Sequence, residues 1–166
     1  MIPRLPRGLT HPVAIGNGAF ASVYRARQEG IDRWVAVKII HEKDRERRKG
    51  LLQEAKVQAQ IHLGCIPHVY DAFAWGRNIC IIMEWIKGVP LSTLLATPLT
   101  NDERIFLATR FVEAVAGLHA LNFAHRDLKP ENVLVTPECA LYLVDFGFSK
   151  HITDGHTSLA LIAKGT

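Results

Sequence analysis

The chain has 166 residues, of which 48% are of hydrophobic type, with a formal net charge of +4 and a pI near 9.1. That length suffices for one good core or two small lobes. Lys and Arg are spread along the chain except around residues 43–49, which speaks against a nucleic-acid surface.

Several other classes are excluded in the same way. Cys65, Cys80 and Cys139 have neither zinc-ligand spacing nor a disulfide pattern, which suits a reducing, cytoplasmic setting. The eight histidines show no metal-ligand spacing. The start, Met1 to Gly8, lacks the apolar core of a signal peptide, and the densest apolar run, Ile79–Met83, is too short to span a bilayer. No repeat or low-complexity segment is present.

In chain order, Val13–Ile15 and Ser22–Tyr24 predict two strands joined by a turn containing Gly16, Asn17 and Gly18. Glycines there let backbone N–H groups approach phosphate oxygens closely. Val35–Ile40 is a β-branched strand carrying one charge, Lys38, which must reach water or find an anion. A helix is predicted from Asp44 to His62. Its first part, Lys43–Lys49, is charged and solvated, and an apolar face follows at Leu51, Ala55 and Ile61. Glu54 and Gln58 lie on or beside that face. Glu54 is the inward carboxylate favoured as the partner of Lys38, with Glu46 as the alternative.

Pro67–Ala74 and Ile79–Met83 predict strands around the turn Trp75–Asn78, and Leu91–Leu95 a short helix. Thr100-Asn101-Asp102-Glu103 is a strong helix start. The helix runs to about Leu121 and is apolar around most of its circumference, so other elements should enclose it. Val133–Val135 and Leu141–Val144 predict two strands.

Two motifs dominate the chain: His125-Arg126-Asp127-Leu128-Lys129-Pro130-Glu131-Asn132, and Asp145-Phe146-Gly147 after it. Together with the glycine turn and Lys38 they closely resemble the catalytic and metal-binding loops of the protein kinase family. The resemblance implies an α+β, bilobal fold. Residues 1–83 would form the N-lobe, an antiparallel sheet with one helix, and 84–87 the hinge. Residues 88–166 would form the first part of a mainly helical C-lobe, with the remaining C-lobe lying in a longer chain. It also implies ATP and Mg²⁺ as cofactors, a protein substrate with a Ser or Thr acceptor, and no nucleic-acid partner or membrane segment.

By that resemblance, Ile15, Gly16, Asn17 and Gly18 cover the nucleotide, and Val23 and Ala36 form the ceiling over its adenine. Met83 is the gatekeeper, backbone groups of Glu84 and Ile86 read the adenine edge, and Leu134 is the floor. Lys38 meets the phosphates and Glu54. Asp127 accepts the substrate proton, Lys129 reaches the γ-phosphate, and Asn132 and Asp145 hold Mg²⁺. Arg126 would pair with a phosphate on the activation segment, for which Thr157 and Ser158 are candidates, and Thr166 would contact Asp127 and Lys129.

Lys129 resembles the serine/threonine branch. The chain departs from the family at Ala21, in place of a third glycine, and at Gln58, where an apolar residue is usual. Pro90 replaces a polar or acidic side chain. It stops before the Ala-Pro-Glu that closes the family's activation segment, so the isolated chain is expected to bind Mg·ATP and phosphorylate weakly. Two alternatives stand beside a kinase: a non-catalytic nucleotide-binding module, and a small-molecule phosphotransferase.

Overall fold

A computed structural model describes residues 5–18, 20–145 and 150–151. Its first layer is a five-stranded antiparallel sheet of β1 (Leu9–Asn17), β2 (Ala21–Gln28), β3 (Arg33–His41), β4 (Val69–Trp75) and β5 (Asn78–Glu84). The strand order is β1-β2-β3-β5-β4. Helix α1 (Arg45–Gln58) packs on β4 and β5. Below the sheet lie β6 (Val89–Pro90), α2 (Leu91–Leu95), α3 (Asn101–Ala120) and β7 (Phe123–Ala124). They are followed by β8 (Val133–Val135), β9 (Leu141–Leu143) and β10 (Lys150–His151). The short strands pair as β6-β8-β9 and β10-β7. The expected α+β arrangement of a sheet-rich N-lobe and the beginning of a C-lobe is the one formed.

Period-two alternation sorts the sheet's two faces. Val35, Val37 and Ile39 of β3 join Cys80 and Ile82 of β5 in one buried cluster with Leu9 and Ala26. The opposite face of β5, Ile79 and Ile81, packs with Ala55 of α1 and Val69. A third cluster, Ile61, Ile66, Ala114, Leu118, Val133, Leu141 and Leu143, forms the core beneath α3 and the β8–β9 hairpin.

Element ends differ from the sequence expectation where local chemistry intervenes. β1 starts at Leu9, well before Val13, with register shifts at Thr10/Val13 and Ala14/Gly16. It is an edge strand, where Pro12 breaks no ladder, and His11 takes the left-handed conformation at φ 50°. α1 is capped by Asp44, whose Oδ1 accepts from Arg47 N at 2.8 Å. It ends at Gln58 because the next turn tightens, with Gln60 N donating to Val57 O and Ile61 N to Gln58 O, each at 3.0 Å. Thr100 and Glu103 form a full capping box at the start of α3. The enclosure expected for α3 is partial: Leu118 is buried, but Ile105 is 65% and Val112 63% exposed.

The cysteines occupy different environments, which gives a direct check on the fold. Burial, with a smaller contribution from Asp71, pushes the Cys80 thiol up to about 12, whereas Cys139 is exposed. An alkylating reagent near neutral pH should modify Cys139 in the native protein and reach Cys80 only on unfolding, as read by peptide mass spectrometry. Native-state modification of Cys80 would contradict the packing described.

Candidate functional site

A cavity of about 490 Å³ opens between the sheet and the segment from Asn132 to Asp145. Its roof comes from consecutive strands. Ile15 and Gly16 end β1, Val23 is on β2, and Ala36 and Lys38 are on β3. The register pairs Val23 with Lys38 and Ala36 with Met83, so alternation turns these side chains to the same face. Met83, Glu84 and Ile86 form the back edge, and Leu134 of β8 lies opposite the roof. Gly88 lets the descending linker pass β8: a Cβ there would lie 2.9 Å from Val135 O.

The remaining turn residues stand just outside the wall. Gly18 N donates to Ala21 O at 2.8 Å, and Asn17 Oδ1 accepts from Ser22 Oγ at 3.1 Å. These bonds hold the β1–β2 turn. Ala21 opens β2, where its backbone carbonyl does this work.

Lys38 differs from the sequence expectation. It lies mostly covered, and its Nζ forms an ion pair with Asp145 across the cavity. Glu54, expected as its partner, lines the same cavity from α1, but among the described residues it forms no ion pair with Lys38. Glu46, the alternative, pairs instead with Lys49 at 2.8 Å on the exposed face of α1. Gln58 lines the cavity one turn beyond Glu54. Asp145 sits in the left-handed conformation, φ 66°, with its carboxylate against Lys38 of β3.

Beside the cavity the loop after β7 is knitted by side chains. His125 is buried at 1% exposure, its ring bonding Val144 O through Nε2 at 2.9 Å and accepting from Asp127 N at Nδ1 at 3.3 Å. An accepting Nδ1 requires a neutral ring with its proton on Nε2. Asn132, also buried, donates from Nδ2 to Asp127 O at 2.9 Å and to Asp127 Oδ2 at 2.8 Å. Lys129 Nζ donates to the same Oδ2 at 2.9 Å. Arg126 is exposed, with φ 67°. Backbone bonds from Val144 N to Asn132 O and from Leu143 N to Cys65 O, both 2.8 Å, tie this loop to the core.

The electrostatics follow from those contacts. The Lys129 hydrogen bond, helped by Asn132, holds the Asp127 carboxyl below its usual range, and Asp127 in turn raises Lys129. Burial lowers the His125 pKa from 6.5, opposed by its bond to Val144. The folded chain therefore holds His125 neutral while the unfolded chain takes up a proton below about pH 6.5. The stability this ring contributes is present above that pH and is lost as pH falls below it. The melting temperature should drop as pH falls below about 6.5, and the drop should be smaller in His125→Phe. Equal slopes for the two proteins would contradict a neutral His125.

The oxygen donors suit a hard divalent cation. Asn132 spends its Nδ2 on Asp127, leaving Oδ1 to serve as a ligand beside the Asp145 carboxylate. No group of three or more His, Cys, Asp or Glu that could hold a metal occurs among the described residues, so such an ion would depend on phosphate oxygens as well. Phe146, Gly147, Thr157, Ser158 and Thr166 lie outside the described residues.

Sequence comparison agrees with this geometry. The family model described as Protein kinase domain matches residues 10–164. The SNF1-related protein kinase catalytic subunit alpha KIN12 of Arabidopsis thaliana is 33% identical over 150 residues, covering 86% of this chain and 30% of the relative. The probable serine/threonine protein kinase IRE4 of the same plant is 32% identical, covering 82% of this chain and 14% of its own length. The probable serine/threonine-protein kinase PknB of Lactococcus lactis is 32% identical, covering 84% and 23%. The chain thus spans less than a third of each of these relatives. With the family's match running through both walls of the cavity, the chain belongs to the protein kinase family.

Proposed function

We propose that the protein containing this chain transfers the γ-phosphoryl group of ATP, with Mg²⁺, to serine or threonine hydroxyls of protein substrates. The supporting observation is the joining of Lys38 and Asp145 across one cavity, with the Asp127–Lys129–Asn132 cluster at its side. The hydroxyl oxygen forms a bond to phosphorus as the bond to the ADP oxygen breaks, and Asp127 takes the hydroxyl proton. That carboxyl, held below its usual range by Lys129 and Asn132, is ionised at neutral pH.

The chain's other groups bind and orient. Lys38 exchanges Asp145 for phosphate oxygens, Lys129 neutralises charge developing on the transferred group, and backbone groups of Glu84 and Ile86 hold the adenine between Ala36 and Leu134. Asn132 and Asp145 would hold Mg²⁺, which would supply charge neutralisation for the phosphates. Arg126, exposed beside Asp127, would receive a phosphate on the activation segment in this reading. Among the described residues no helix is long and apolar enough to cross a membrane, and a cytoplasmic location is part of this reading.

A non-catalytic nucleotide-binding module is the second reading, favoured by Gln58 in the cavity wall and by the absence of a Lys38–Glu54 pair. Full-length protein incubated with γ-labelled ATP, Mg²⁺ and a general protein substrate decides between them. Label on phosphoserine or phosphothreonine is expected. Nucleotide binding without label transfer would leave the second reading, and label on a small acceptor alone would make the protein a small-molecule phosphotransferase.

A further inference from the structure

The face that carries Val23, Ala36 and Lys38 does not end at the cavity. Two residues along β2 from Val23 is Arg25, and two residues along β3 from Ala36 is Trp34; the register pairs Arg25 with Ala36. Trp85 stands between Glu84 and Ile86, the segment that lines the back edge of the cavity. These three side chains meet. The Arg25 guanidinium lies 4.5 Å from the Trp34 ring centroid and 5.1 Å from that of Trp85. The two indoles meet edge to face, with centroids 6.3 Å apart.

Arg25 Nε is buried and has no hydrogen-bond partner among the described residues. The residue as a whole is half-buried, and the two indole rings give its guanidinium cation–π contacts where Nε lacks a hydrogen bond. Removing either indole would cost the half-buried cation one of its two ring contacts, and this ties the three side chains together. Through them β2 and β3, which form the roof over the adenine, are fastened to the strand expected to read the adenine edge.

We infer that Arg25 is a positioning residue: packed at the corner where Trp34 meets Trp85, it fixes the linker 84–86 relative to the roof and so sets the fit of the purine ring. The inference rests on the nucleotide reading above. Its effect is confined to the base end of the ligand, because the cluster lies on the linker side of Ala36 whereas Lys38 and Asp145 lie beyond it.

The test compares binding of Mg·ATP and of Mg·tripolyphosphate to full-length protein. Arg25→Met and Trp85→Leu should each weaken ATP binding about tenfold while leaving tripolyphosphate within about twofold. Trp85→Phe, which keeps a ring over the guanidinium, should restore most of the loss. Should Arg25→Met fail to fold, Arg25→Lys, which keeps the charge without the planar fork, should shift the same ratio about threefold.

Equal weakening of both ligands would reduce Arg25 to a purely structural role, and unchanged ATP binding would remove it altogether. Backbone amide exchange over residues 84–88 in nucleotide-free protein gives an independent reading. Faster exchange in Arg25→Met supports the positioning role even if the parent protein binds no nucleotide, in which case the nucleotide reading alone fails. Unchanged exchange overturns the positioning role.

Discussion

Replacing Asp145 with alanine should reduce phosphate transfer by about 10³-fold or more, and Lys38→Ala should do the same. The two residues sit on opposite walls of one cavity and hold each other's charge. With ATP bound, both are expected to work on the triphosphate, Lys38 directly and Asp145 through the cation. Either loss therefore removes charge stabilisation just where the transferred group develops it. The structural cost should be small. Half the Asp145 side chain is exposed to solvent, so its ion pair is screened and contributes about 1 kcal/mol at most. A melting temperature close to wild type beside abolished transfer would separate chemistry from folding. Transfer that survives either change undiminished would remove these residues from the reaction.

The largest effect on stability is expected at Leu118. Its side chain is fully buried in the cluster that joins α3 to Ile61, Ile66, Val133, Leu141 and Leu143. Leu118→Ala deletes three carbons where neighbours are held on a helix and two strands and cannot close the gap. A loss of about 3 to 5 kcal/mol follows from such cavities. In a chain of this size that lowers the melting temperature by roughly 10 °C. The effect should reach the site, because Val133 and Leu143 flank Asn132 and Asp145. Val112→Ala on the same helix, at 63% exposure, should change stability by less than about 0.5 kcal/mol. Comparable losses at the two positions would contradict the orientation of α3.

Much of this architecture is legible in the sequence because local signals agree with the final packing. Leu91–Leu95 is helical with the predicted bounds, and the Thr100–Glu103 box starts α3 as expected. The β-branched run around Lys38 forms a strand with Val35, Ala36, Val37 and Ile39 buried. The two-residue strands β6, β7 and β10 are not legible, since two residues carry no periodicity. The length of β1 is obscured by Pro12 and by its register shifts.

The site divides in the same way. Motif spacing singles out Lys38, Asp127, Asn132 and Asp145, and the fold brings all four to one cleft and its rim. The partner of Lys38 is not legible. Spacing along α1 identifies an inward carboxylate, but the partner found, Asp145, is 107 positions from Lys38 in the sequence and is brought to it only by the tertiary fold. Arg25 also escapes a motif-based reading. The signal for it was the alternation Val23-Arg25 beside Trp34-Ala36-Lys38, which places a cation one step from Val23 in the cavity roof.

The most direct test of the central claim uses ATP bearing an acyl group on its terminal phosphate, which transfers that group to a lysine amine beside the bound triphosphate. Peptide mass spectrometry should find the label on Lys38 or Lys129, with excess ATP preventing it. Label spread over the exposed Lys43, Lys49 and Lys56, in and just before α1, and unaffected by ATP, would show that the triphosphate does not lie between Lys38 and Asp145.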